Sequence, residues 1–131
     1  MNPIAEDIKD MLEAQSSLAL TFGTDLFIAI EPTGPDACVT ILDTPSFPPD
    51  LTLDPEERFY NSSFQIRVRH TDYLIGMALA RNIMESLHGR AHETWNGTLY
   101  TVITATGEPA PMSRDENNRF VIITNFNSKR R

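Results

Sequence analysis

The run Arg119-Phe120-Val121-Ile122-Ile123-Thr124-Asn125-Phe126 is the most apolar and β-branched stretch of the chain. Side chains of this kind suit a pleated, packed surface, so the run predicts a core strand. A charged turn, Arg114 to Asn118, feeds it. Together with Gly107-Glu108-Pro109-Ala110-Pro111, that turn connects it to an earlier strand, Thr98 to Thr104. Further back, Phe64, Ile66 and Val68 alternate with Gln65, Arg67 and Arg69, the pattern of a strand with one packed face and one cationic face. Thr71 or Asp72 can cap the helix that follows. In that helix Tyr73, Leu74, Met77, Ala80, Met84 and Leu87 recur every three or four residues until Gly89.

The N-terminal half adds three elements. Asn2 before Pro3 is a good helix start, with Glu6 and Asp7 favouring the positive helix end. Ile4, Ile8, Met11 and Leu12 share one face, so a helix is expected from about Pro3 to Gln15. Leu26 to Ile30 and Cys38 to Asp43 read as strands, and the break Pro32-Thr33-Gly34-Pro35-Asp36 between them suggests a hairpin. From 44 to 63 the composition changes: four prolines stand among Asp50, Asp54, Glu56 and Glu57, which no central strand or helix interior tolerates. A loop of that length in a compact chain is usually functional, so it reads as an arm reaching a neighbour. The order α-β-β-loop-β-α-β-β predicts an α+β fold: one mostly antiparallel, mixed β-sheet packed by two α-helices. The expected organisation is one domain over 1–131, with the Pro-rich loop at 44–63 and a basic, frayed tail at 127–131.

With 131 residues, the chain can bury roughly two-thirds of its unfolded surface, enough for one core and no second domain. Its net charge of −7 argues against ordinary binding to a phosphate backbone, which depends on lysine and arginine. The distribution is uneven. Residues 1–57 hold twelve acids against Lys9, giving −11, whereas 58–131 hold ten Lys plus Arg against six acids, giving +4. Such polarity suits copies meeting through unlike faces, the contact that closes into a ring, and equally suits two sides of one monomer neutralising each other. The first residues carry no secretory or transit pattern, so synthesis in a cytoplasm is expected. The longest apolar or glycine run, Leu74 to Ala80, is far short of the ~20 residues that span a bilayer. The single cysteine, Cys38, lies in an apolar alternating stretch and reads as a small buried hydrophobe.

Catalytic patterns are weak. Asp36 followed by Gln65 and Arg67 is a poor echo of a metal-dependent nuclease, because the second acid is missing. His88 and His92 have zinc-ligand spacing, but Gly89 between them breaks the helical register, leaving two exposed histidines as the better reading. No phosphate loop, nucleophile elbow or paired cysteine motif is present. The expectation is therefore no enzyme activity, no cofactor and no metal.

Pro35-Asp36 before a strand, Phe64-Gln65-Ile66-Arg67-Val68-Arg69 before a helix, and Glu108-Pro109 leading to Arg114-Asp115-Glu116-Asn117 and Arg119 to Phe126 together resemble a known family. It is that of the phage tail-terminator proteins, also labelled tail-completion or minor capsid proteins, and the resemblance spans about Ile4 to Phe126. It implies a virion protein made in the bacterial host cytoplasm. There it would form a hexameric ring at the head-proximal end of the tail, stop tube polymerisation and present a docking surface to the neck. Its implied partners are further copies of itself, the tail tube protein and a neck or head-completion protein. DNA would pass through the lumen without specific binding. On this reading Asp50, Asp54, Glu56, Glu57 and Arg58 of the arm, and Gln65, Arg67 and Arg69 of the cationic strand, are candidates for the subunit or tube interface. A head-completion or neck adaptor on the portal side is the alternative, followed by a small nucleic-acid-binding domain.

Overall fold

The apolar C-terminal run lies at the centre of a seven-stranded sheet, in a computed structural model that describes residues 1–131. The strand Phe120–Arg130 pairs antiparallel along its whole length with Tyr60–His70, from Tyr60 opposite Arg130 to His70 opposite Phe120. Taken in chain order, the strands are β1 (Leu26–Ile28), β2 (Cys38–Thr44), β3 (Tyr60–His70), β4 (Ala91–Trp95), β5 (Thr98–Ala105), β6 (Ala110–Arg114) and β7 (Phe120–Arg130). Their order in space is β1-β2-β3-β7-β5-β4. β6 shares the free edge of β7 with β5: β6 takes its first half and β5 its second. The helices are α1 (Ile4–Ala14) and α2 (Tyr73–Leu87).

The α+β class, with a mixed sheet and two helices, agrees with the sequence. The strand order does not, because β4 and β6 were not expected. β4 and β5 form a hairpin closed by Asn96-Gly97, both with positive φ (50° and 79°), the geometry that two-residue hairpin turns favour. β6 contains Pro111 and is exposed throughout, and its pairing with β7 shifts register between Pro111 and Ser113. Proline removes a ladder donor, which an edge strand tolerates.

β1 and β2 do not form a hairpin; they run parallel, with Leu26 opposite Val39. Residues 29–37 double back over the sheet face that carries no helix. Guanidinium groups hold this return: Arg69 donates to the carbonyls of Pro32 and Pro35, and Arg119 to that of Thr33. Charged donors answering loop carbonyls do here what ladder bonds do in a hairpin.

Both helices pack on the other face. α1 buries Ile4, Ile8, Met11 and Leu12, as its periodicity implies. The Asn2 side chain does not cap it; instead Asp43 of β2 accepts from the Ala5 amide at 3.0 Å and ties the helix start to the sheet. α2 is capped by Asp72, which accepts from the Ile75 amide at 3.1 Å, and the chain turns away at Gly89 with φ +88°. Its buried face is Gly76, Ala80, Ile83 and Leu87, with Met77, Leu79 and Met84 alongside, whereas Tyr73 and Leu74 are exposed. That face is rotated from the one hydrophobic size alone suggests, because small residues let the helix approach the sheet closely. A Cβ on Gly76 would lie 2.9 Å from Ile122 Cδ1 and 3.1 Å from His70 Cβ. Gly76→Val is therefore expected to destabilise the fold by about 1–3 kcal/mol through overpacking. Urea denaturation checks this, and an unchanged midpoint would show that the helix can ride outward at no cost.

The C-terminal tail is not frayed. Asn127 to Arg130 continue β7 to its end, and Arg130 is only 7 % exposed. At the other end of the same pairing, Tyr60 to Ser63 belong to β3, so the Pro-rich loop is confined to residues 45–59.

Candidate assembly surface

Three groups of polar side chains stand out, and each has a different role. The first lies under α1. Asp7 is fully buried and accepts from the Tyr100 hydroxyl and, at 2.7 Å, from Asn96 Nδ2. Arg130 Nη1 lies 3.7 Å from Asp7 Oδ2 and donates to the Asn2 carbonyl and the Tyr100 oxygen, while its Nε donates to Ser62 Oγ. Burial, then the bond to Asp7, pushes the Tyr100 hydroxyl above its ordinary range, so it stays a neutral donor. This network joins α1, the β4–β5 hairpin tip and the last residues of β7.

The second group lies at the His70 end of the sheet, on the helix-free face. Arg69 is 3 % exposed and holds the 29–37 return, so it is not available to a neighbouring subunit, contrary to the expectation for it. Arg67 pairs with Glu31 at 3.2 Å. Arg119 bridges Asp115 at 2.8 Å and Asp36 at 3.3 Å. Although desolvation works against its charge, Asp115 is held below the usual carboxylate range by amide donors from Arg119 and Asn117 and by the Arg119 guanidinium. Asp36 thus stabilises the loop, and Gln65 donates to Asn125 in a polar ladder with Ser63 and Asn127.

The third group is the arm, residues 45–59. Its base is fixed: Asp50 accepts from Lys129 Nζ and Asn61 Nδ2, each at 2.9 Å, and the Asp50 amide donates to the Phe59 carbonyl. The Asn61 and Lys129 donors hold the Asp50 carboxyl below its ordinary range. Beyond this clamp a single turn, Pro55–Glu57, is capped by Asp54, which accepts from the Glu56 amide at 3.0 Å. Asp54, Glu56 and Glu57 are exposed, and Arg58 is half-buried behind them. Phe47, Leu51 and Leu53 are exposed among these acids, at 81 %, 90 % and 107 %. Large apolar side chains left open on a clamped arm are candidates for a contact surface.

Asp50, Asp54, Glu56, Glu57 and Arg58 thus share one loop segment, while Gln65, Arg67 and Arg69 lie elsewhere, on β3. Phe47, Leu51 and Leu53 were missed as interface candidates. Their signal was present as apolar residues in a segment with neither helical nor strand period.

Elsewhere the ion pairs are local, Lys9 with Glu6 and Asp10 and Arg90 with Glu93. His88 Nδ1 accepts from the Ala105 amide, His92 lies in β4, and His70 Nδ1 accepts from the Asp72 amide. No group of three or more His, Cys, Asp or Glu is placed to hold a metal ion. Cys38 is buried, and burial pushes its thiol up. The cleft between the end of α1 and α2, about 370 Å³, is lined by Gln15, Ser17, Leu18, Asn82, Glu85 and Ser86. No helix is long and apolar enough to cross a membrane.

The fold has counterparts among solved structures. It is similar to a chain from the virion of a native gene transfer agent particle, with a TM-score of 0.67 and 17 % identity over 97 % of this chain and 93 % of that one. A second solved structure matches with a TM-score of 0.53 and 13 % identity, over 96 % and 90 % of the two chains. Among curated proteins, none matches. The family model for bacteriophage tail terminator proteins matches residues 11–130, and the chain belongs to that family. It is a structural protein of the phage tail.

Proposed function

We propose that this chain is a non-enzymatic tail terminator in the full sense. Copies of it, six in number, close into a ring on the head-proximal end of the tail tube. There they stop tube growth and offer the neck or head-completion protein a docking surface, while DNA passes through the lumen without specific binding. The observation that carries the reading is the family match over nearly the whole chain, joined to an arm whose base is clamped and whose tip is apolar and acidic. The charge polarity of the sequence, −11 before residue 58 and +4 after it, supports contact between unlike faces. In this reading Asp54, Glu56, Glu57 and Arg58 meet a neighbour or the tube, Asp50 holds the arm in place, and Gln65 and Arg67 belong to the helix-free sheet face. An acidic subunit around a DNA conduit also resists adhesion of the genome.

Electron microscopy of particles made without the gene tests this. Overlong or headless tails are expected, together with six-fold end-on density at the tip of normal tails. Tails of normal length that lack only the head would favour an adaptor on the portal side, and wholly normal particles would overturn the proposal.

A further inference from the structure

We infer that the arm of one copy docks on the exposed start of α2 of the next copy, with Leu51 and Leu53 against Leu74 and Ile75. This rests on the ring reading and names the contact that builds it.

A second exposed apolar patch answers the arm. Leu74 is 74 % and Ile75 56 % exposed at the first turn of α2, and Tyr73 is exposed beside them. Helix starts in a packed fold usually bury such residues or replace them with polar ones, yet here the buried face of α2 has turned away and left them open. The patch also offers two exposed cations, Arg81 and Arg114, to the acids of the arm. Arg114 stacks on the Phe120 ring at 4.6 Å, that ring meets Tyr73 at 5.6 Å, and Arg81 stands exposed two turns after Leu74 on the same helix face. Of the nearby acids, Asp72 caps the helix and Asp115 pairs with Arg119, while Glu85 and Glu116 stand exposed at the margins next to Arg81 and Arg114. Asp54, Glu56 and Glu57 of the arm have no cation within ion-pair distance in their own subunit.

Geometry makes the contact intermolecular. The arm leaves the sheet at Tyr60, and α2 begins three residues after His70, at the opposite end of the 11-residue strand β3. At about 3.3 Å per residue, the length of β3, roughly 33 Å, separates the base of the arm from the start of α2. The clamp of Asp50 on Lys129 and Asn61 keeps the arm base at the Tyr60 end. Two complementary patches at opposite ends of one subunit make a head-to-tail contact, which closes into a ring when the rotation per step allows.

Mixing tests this. The donor variant carries Leu51→Asp and Leu53→Asp; the acceptor variant carries Leu74→Asp and Arg81→Glu. All four positions are exposed, so each variant should unfold at the wild-type temperature, which thermal melting confirms before assembly is scored. Sedimentation of the full chain is followed from micromolar to millimolar concentration. The wild type is expected to form closed rings. Each variant alone should lose assembly by about tenfold or more in dissociation constant. An equimolar mixture should stop at dimers, because only one intact donor and one intact acceptor remain. Rings formed equally well by both variants would overturn this contact while leaving the ring reading intact. A wild type that is monomeric at every concentration would overturn it too, and the ring would then be judged separately by six-fold density at tail ends.

Discussion

Replacing Arg130 with alanine is expected to lower the unfolding free energy by about 3–5 kcal/mol, the usual cost of leaving a buried charge without its partner. Arg130 is 7 % exposed, and Asp7 is fully buried against it and Tyr100. Without the guanidinium, Asp7 keeps a tyrosine and an asparagine donor but no cation. The Asn2 carbonyl and Ser62 hydroxyl lose a donor at the same time. Removing the whole network as Asp7→Leu with Tyr100→Phe and Arg130→Met should recover much of the loss, because apolar groups of similar size need no partner. The network also sets an alkaline limit. The Tyr100 pKa is raised on folding, so its contribution is fully present below the ordinary value of 10.0 and lost as pH rises above it, where the unfolded chain can ionise and the folded one resists. Urea titrations of the wild type, the alanine variant and the triple variant at pH 7, and of the wild type at pH 9 and 11, check these statements. A loss below about 1 kcal/mol for Arg130→Ala would mean that water reaches Asp7 and satisfies it.

That network was illegible in the sequence for a definite reason. Ser128 to Arg131 read as a basic, frayed tail because composition describes what a segment contains and not what it meets. Ser62, Tyr100 and Asp7 answer Arg130 from 68, 30 and 123 positions away, and only the pairing of β7 with β3 on one side and β5 on the other, with α1 packed over them, brings them together. By contrast β7 and β3 were legible, since β-branched density and strict alternation are properties of the segments themselves. α2 was legible in extent but not in orientation. Its packing is governed by Gly76 and Ala80, whose smallness matters only once Ile122 and His70 are in place. The hairpin closing at Asn96-Gly97 was legible and was passed over: Trp95 and Thr98 flank a sequence pair whose positive φ values favour that turn.

The candidate surface divides the same way. Proline spacing marked the arm, and its acids do lie on it, because prolines exclude regular structure locally. The role of Arg69 was misread. A cationic alternate face suggests a partner outside the subunit, but the partners are carbonyls of the 29–37 return, a segment that hairpin pairing would have placed elsewhere. An error in one connection, β1 to β2, thus became an error about an interface residue.

Phe126→Ala should destabilise the chain by about 3–5 kcal/mol and lower assembly with it. Phe126 and Phe64 lie directly opposite each other across β7 and β3, both buried, with rings stacked at 4.8 Å and 4°. On its other side Phe126 pairs with Ala105 of β5, and its ring belongs to the core between sheet and helices. Truncation removes the transfer energy of the ring and leaves a cavity in the strand that joins β3, β5 and β6, so no neighbour can close in without breaking a ladder. Phe126→Leu keeps most of the volume and should cost roughly 1.5 kcal/mol or less. A double-mutant cycle with Phe64→Ala isolates the stacked pair, expected at about 0.5–1.5 kcal/mol. Denaturation midpoints measure all three variants. If Phe126→Ala and Phe126→Leu lost the same amount, volume would not be the cause and the central role given to this strand would fall. Because β7 ends in Lys129 and Arg130, which hold the arm base and Asp7, the alanine variant should also loosen the arm. Proteolysis within residues 45–59 should then quicken in step with the loss of global stability if cleavage proceeds through unfolding, and ahead of it if the arm is released first.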